Sequence, residues 1–177
     1  MLTDSILAIW CSSWAVTAFA LLAVLHGPNN SLADWYRPQY SIPLLGMVLG
    51  NTLNGVSLGL KTYTESLYQD RDRIEACLAL GATRWEAARE TVQDAIRTGL
   101  IPIVNSMMIV GIVSLPGMMT GQLMSGTEPV AAVKYQIVIM FLIAAATALG
   151  TVGIVLLGFR RLFTADHQMR SDALFSK

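Results

Sequence analysis

The chain is short of charge and of reactive side chains. Asp, Glu, Lys and Arg together make up 14% of its 177 residues, against 54% hydrophobic residues, and the formal net charge is zero. There are two histidines and two cysteines. Cys11 lies in an apolar run and Cys77 in a charged one, so neither a disulfide framework nor a metal site of paired cysteines is supported. Arg and Lys form no uninterrupted basic run, which excludes nucleic acid as an expected partner. No G-x-x-x-x-G-K-[ST] loop is present to cradle nucleotide phosphates, and neither H-E-x-x-H nor G-x-S-x-G occurs. His26 and His167 are far apart, and no nucleophile–base pair supports an enzyme. No cofactor is expected in this chain. The start, Met1-Leu2-Thr3-Asp4, has no basic segment, so a cleaved secretory leader is not expected.

What the chain has instead is long uncharged runs, and its mean hydropathy is +0.53. A helix needs about 20 apolar residues to cross the hydrocarbon core of a bilayer. Residues 6–25 and 41–60 meet that length without a charge. A third run, 100–115, ends at Pro116-Gly117, which should kink or stop a helix and leave residues 117–121 irregular. The fourth, 130–159, carries only Lys134, near its start, and Arg160-Arg161 ends it. The expected architecture is an all-α, polytopic membrane helix bundle forming a single domain over 1–177. It has about four crossings, a cytosolic amphipathic elbow at 61–98 and a cytosolic tail at 160–177. Six Lys/Arg lie in the elbow and four in the tail, against one, Arg37, between the first two crossings. The positive-inside rule therefore puts elbow and both termini in the cytosol of a multi-pass protein of the cell (inner) membrane.

The elbow organises the rest. Residues 61–97 hold thirteen of the twenty-four charged side chains. The stretch to Leu80 has no Gly or Pro, and Gly81-Ala82-Thr83 reads as a break with Thr83 as the next helix's N-cap. Beyond it Trp85, Ala88, Val92, Ala95, Ile96 and Gly99 recur at helical spacing, an amphipathic pattern that runs straight into the third crossing. Most charged membrane loops are simply solvated. This one is long, helical and rich in small residues, which favours a docking element.

Within the runs, Gly46-x-x-x-Gly50 and Gly55-x-x-x-Gly59 are small-residue pairs that let helix backbones approach in lipid. Met47, Asn51 and Asn54 share a helix face beside the first pair, and a carboxamide facing lipid is costly, so this face is expected to point into the bundle. Asn105 and Ser106 are further intramembrane polar residues. Met47, Met118 and Met119 are soft donors beside them, although adaptable packing is the commoner use of methionine. No acidic residue lies deep in a crossing, which argues against a closed site for a hard cation. The candidate path comprises Met47, Asn51, Asn54, Asn105, Ser114, Pro116, Gly117, Met118 and Met119. In it, residues 114–121 act as an extracytoplasmic gate facing Asn51 and Asn54, or else as a plain turn.

Glu75-Ala76, with Gly81 six residues after the glutamate, resembles the coupling loop of ABC-transporter permeases, where a short cytosolic helix docks on the ATP-binding subunit. The carried-over positions are Glu75, Ala76, Gly81 and Ala82, to which the amphipathic pattern adds Trp85. The Leu-Pro that usually follows in importer loops is missing. Ile42-Pro43-Leu44-Leu45-Gly46-Met47-Val48-Leu49-Gly50-Asn51, Leu80-Gly81-Ala82-Thr83, Leu100-Ile101-Pro102, Val113-Ser114-Leu115-Pro116-Gly117-Met118-Met119-Thr120-Gly121 and Lys134-Tyr135-Gln136-Ile137 resemble the FetB-type, UPF0014-like permease family. That family is associated with iron export in bacteria and has plant relatives linked to aluminium tolerance. The resemblance implies a permease subunit that exports a metal ion, driven by a separate cytosolic ATP-binding cassette subunit. A homodimer in membrane lipid is expected. Family members carry further helices before the matching part, so the chain is expected to be a truncated or short-start version. The competing expectation is a non-transporting membrane scaffold that recruits a soluble partner through its elbow.

Overall fold

A computed structural model describes residues 38–111 and 116–162. The crossing expected at 6–25, the tail beyond residue 162 and Ser114 lie outside these residues. Among the described residues five helices follow in order: α1 Pro38–Gln69, α2 Arg71–Ala79, α3 Arg84–Ile109, α4 Gly117–Met124 and α5 Pro129–Leu162. Two of them contain segments long and apolar enough to cross a membrane, Ile42–Gln69 and Pro129–Arg160. At 1.5 Å per residue, the 34 residues of α5 span about 51 Å, more than the ~30 Å of hydrocarbon.

Three long helices form the bundle. α1 and α5 run parallel, since Leu44 and Val48 cluster with Ile139 and Leu142 while Tyr63 and Leu67 cluster with Val155 and Phe159. α3 runs antiparallel to both, with Ala88 and Val92 at the Phe159 end and Ile103 at the Ile139 end. The core is thus two apolar clusters, one at each end.

Between the clusters the helices touch through glycine. A Cβ on Gly99 would stand 2.5 Å from Thr151 Cγ2, 2.9 Å from the Gly55 carbonyl oxygen and 3.1 Å from Gly59 Cα. A Cβ on Gly55 would meet Thr147 Cγ2 at 2.6 Å, and one on Gly59 would meet Thr151 Cγ2 at 2.9 Å. The second of the two expected glycine pairs therefore makes the close approach. The first does not: Gly46 and Gly50 have nothing within 4 Å of a built Cβ, because that side of α1 faces away from α3 and α5.

The backbone runs on without a break where the second expected crossing passes into the elbow. α1 continues as helix to Gln69, nothing between Thr62 and Gln69 being a helix breaker. Likewise α3 runs through Pro102 and ends at Ile109, short of the expected 115. Residues 117–121 were expected to be irregular. They form the first turns of α4 instead, with Pro116 as N-cap and Thr120 N–H donating to the Pro116 carbonyl at 3.1 Å. Proline one residue before a helix costs that helix no internal hydrogen bond.

The elbow's corner is fixed at both sides. Gly81, at φ +92°, ends α2 in a Schellman arrangement: its N–H donates to Leu78 and that of Ala82 to Cys77. Two residues on, Thr83 and Glu86 form a capping box, the Glu86 carboxylate accepting the Thr83 N–H at 2.8 Å and Thr83 Oγ1 accepting the Glu86 N–H at 3.3 Å. The hydrogen bonds from the Thr83 side chain and backbone hold the Glu86 carboxyl below its ordinary pKa.

Two predictions follow from this packing. Gly99→Ala should destabilise the bundle by about 1–3 kcal/mol, as overpacking does, whereas Gly46→Ala should be neutral or slightly stabilising; thermal unfolding in detergent measures both. Thr83→Ala should cost about 1 kcal/mol at neutral pH. A carboxylate with a depressed folded pKa contributes stability above its unfolded pKa and loses it as pH falls through the folded value. The Thr83→Ala penalty should therefore shrink in acid, in a melting series from pH 7 to pH 3.

Candidate functional site

Two places bring the sequence-derived site residues together. The first is a cavity of about 230 Å3 at the outer end of the bundle, the end opposite the elbow. Met47 and Asn51 enter it from α1, Ser106 from α3, Pro116 from the start of α4, and Gln136 and Met140 from α5. The i, i+4 spacing on α1 delivers Met47 and Asn51 to one side, as read from the sequence. Asn51 Nδ2 donates to the Met47 carbonyl at 2.9 Å, and Ser106 Oγ donates to the Pro102 carbonyl at 2.9 Å. These internal bonds occupy the Ser106 hydroxyl donor and one of the two Asn51 N–H donors.

Gln136 is different. Its side chain is 4% exposed, and its Oε1 has no hydrogen-bond partner among the described residues. A buried acceptor left unmade costs about 1–3 kcal/mol. Gln136 also lines the cavity, so a turn of its carboxamide would present this acceptor to a ligand that donates a hydrogen bond, or to a cation with its water. Sequence reading quoted Gln136 only as part of a motif. The signal was available, since it is the one carboxamide in the run 130–159.

Not all path residues converge. Pro116 lines the cavity, and Met118 packs on the outer apolar cluster. Met119 is half-buried and Gly117 is exposed, neither of them lining it. Asn54 and Asn105 are exposed on α1 and α3, contrary to the expectation that they face the bundle interior. Asn54 sits one residue short of the glycine contact, rotated away from it by the helix repeat. Among the described residues no group of three His, Cys, Asp or Glu converges as a metal site.

The second place is the elbow. Ile74 of α2 is fully buried in the inner cluster with Ala87, Ala88 and Leu162. Arg73 spans from α2 to α3, its Nη1 donating to Glu90 Oε2 at 2.6 Å. Trp85 meets Phe159 of α5 edge to face, ring centroids 5.5 Å apart. α2 is thereby tied to α3, and the start of α3 to the end of α5. Glu75 pairs with Arg71 at 2.9 Å within α2. Ala76, Ala79 and Gly81 are exposed, Ala82 is half-buried, and Leu80 is 89% exposed. Leu80 was not singled out in the sequence. Its position between a helix end and a left-handed glycine is what leaves it bare, and neither is visible in composition.

Comparison with known proteins covers most of the chain. Residues 1–163 match the uncharacterised protein family UPF0014. Over 165 residues, 91% of this chain and 62% of the relative, it is 42% identical to the UPF0014 membrane protein slr1647 of Synechocystis. It is 37% identical, over 76% of its length and 52% of the relative's, to the probable iron export permease protein FetB of Escherichia coli. It is also 32% identical to the protein ALUMINUM SENSITIVE 3 of Arabidopsis thaliana, over 80% of this chain and 52% of the relative. The chain thus spans between half and two thirds of the length of these curated relatives. No solved structure matches it. With a match over almost its whole length and relatives that are membrane proteins, the chain belongs to the UPF0014 family.

Proposed function

We propose that this chain is the membrane-spanning part of an ABC exporter whose ATP-binding subunit docks on the elbow, and that its cargo is a metal ion, as the name of the Escherichia coli relative says of that protein. The observation that carries the reading is the construction of the elbow. Its inner side is packed into the bundle through Ile74, Arg73–Glu90 and Trp85–Phe159, while its tip leaves Ala76, Ala79, Leu80 and Gly81 uncovered. A solvated loop needs neither. A partner gripping the small residues, with Leu80 seated in its groove, would move α2 and the starts of α3 and the end of α5 as one piece.

The outer cavity is the cargo's place in this reading. Two thioethers and an unpaired carboxamide oxygen, without a fixed charge, suit a cation that arrives partly hydrated and must leave again. In α1 and α3 the exposed carboxamides of Asn54 and Asn105 would be costly against hydrocarbon. These sides favour coverage by more protein, either a second copy or further helices of the kind that longer relatives have room for.

Leu80→Asp, combined with Glu75→Lys, should abolish recruitment of the ATP-binding subunit and ion efflux while the protein still inserts in the membrane. Co-purification and efflux assays read the two effects, and unchanged recruitment and efflux would overturn the coupling role of the elbow. Gln136→Leu separates transport from folding. Removing an unpaired buried oxygen should keep or raise the melting temperature, while efflux falls by about tenfold, the loss of one good polar contact. A purely structural glutamine would show the reverse pattern.

A further inference from the structure

One long side of α3 is left open by the rest of the described residues. Asp94, Thr98, Ile101, Asn105 and Met108 recur at intervals of 4, 3, 4 and 3 residues, so they form a single line along the helix. The line lies on the side away from Val92, Ala95, Gly99 and Ile103, which are buried in the bundle. Asp94 and Asn105 are exposed, Thr98 is half-buried, and Ile101 and Met108 are 47% and 68% exposed. Alternating intervals of 3 and 4 are those of a seam between two packed helices.

The chemistry of this line is not that of a side turned to lipid. The open side of α5 is of that kind: Ile137, Phe141 and Leu149 are apolar, large and more than half exposed. On α3 a carboxamide sits between Ile101 and Met108, and a carboxamide against hydrocarbon is costly. Nearer the elbow, Asp94 and Arg97 are both exposed and make no ion pair among the described residues.

We propose that this line is where a second copy of the chain docks, α3 against α3, with the two helices parallel and the two Asn105 side chains bonded to each other. The inference rests on the proposed reading of the chain as the membrane-spanning part of a transporter, with α3 running from the elbow into the bilayer. Copies inserted the same way round are related by an axis along the membrane normal, so like helices run parallel and like residues meet. Each group on the line then finds its partner in the other copy. A carboxamide carries both donors and an acceptor, so two of them satisfy each other. Asparagine at one seam position fixes the register and favours a pair of helices. Asp94 and Arg97 are of opposite charge one turn apart, so the axis sets each copy's Asp94 beside the other's Arg97. Lipid offers none of these partners. Ser106, the residue after Asn105, enters the outer cavity, so the pairing also fixes the rotation of the helix that supplies that wall.

The test uses the full chain in membranes, with Cys11→Ser and Cys77→Ser removing both native thiols. Single cysteines are placed along the line, by Asp94→Cys, Ile101→Cys or Met108→Cys, and on the open side of α5, by Phe141→Cys or Leu149→Cys. All five positions are exposed, so the substitutions make little demand on the fold. After mild oxidation, non-reducing gels should show disulfide-linked dimers for the three α3 positions and not for the two on α5. Asn105→Leu in the Met108→Cys chain should lower the linked fraction by about threefold, the worth of an average hydrogen bond between membrane helices. Asn105→Gln should keep most of it. Equal linking on α3 and α5 overturns the proposal as random collision. Absence of linking on α3 overturns it in favour of another cover, whether further helices, other parts of this chain or lipid. Linking by Ile101→Cys alone overturns the parallel arrangement, because antiparallel copies bring together only the middle of the line. An unchanged linked fraction with Asn105→Leu overturns the carboxamide pair. A chain recovered outside the membrane fraction overturns the spanning reading itself, an outcome distinct from an inserted chain that does not link.

Discussion

The contact among Gly55, Gly59 and Gly99, with Thr147 and Thr151 filling the space that side chains would need, is the constraint on which the bundle depends. Inside a bilayer, apolar side chains gain little by leaving lipid for protein, so helix association rests on packing and on how closely backbones approach. α1 and α3 can meet at this distance only where Cβ atoms are missing, and the α5 threonines fill the space beside them. Once they do, the apolar residues above and below fall into two clusters on either side, Val92 and Ile154 on one and Ile103 and Ile143 on the other. The waist sets the register of both ends, including which residues reach the outer cavity.

The elbow inherits its order from the same bundle. Exposed ion pairs such as Lys61–Glu65 are worth little individually. The position of α2 is set instead by Ile74, buried among residues of all three long helices, and by a corner whose backbone donors and acceptors are satisfied locally on both sides. A surface that is bare yet held rigid can bind with little ordering cost.

Much of this was legible in the residues. Uncharged lengths located α1 and α5 because hydrophobic thickness is a coarse property that twenty residues average over. Gly81 and Thr83 marked the corner because turn and cap chemistry is local. Periodicity failed where the answer depended on which neighbour exists. Gly46-x-x-x-Gly50 and Gly55-x-x-x-Gly59 look alike in sequence, and only the path of α3 selects the second. Asn51 and Asn54 lie within one turn, yet rotation about α1 sends one into the cavity and the other to the surface. Gln136 was overlooked because a single polar residue in an apolar run acquires meaning only from the partner it lacks.

The waist also has a mechanical ratio. Gly99 lies 14 residues from Trp85 and 10 from Ile109 along α3, arms of about 21 Å and about 15 Å at 1.5 Å per residue. If α3 turns as a rod about that contact, a shift at the elbow appears at the cavity in the opposite direction and at about 0.7 of its size. Pro102, just beyond the pivot, lacks the N–H that would bond to the Thr98 carbonyl, so the outer arm is the more compliant one. A first-class lever of this kind draws its outer end toward one neighbour as its inner end is pushed toward the other, and its outer end carries Ser106 and Ile109 of the cavity wall.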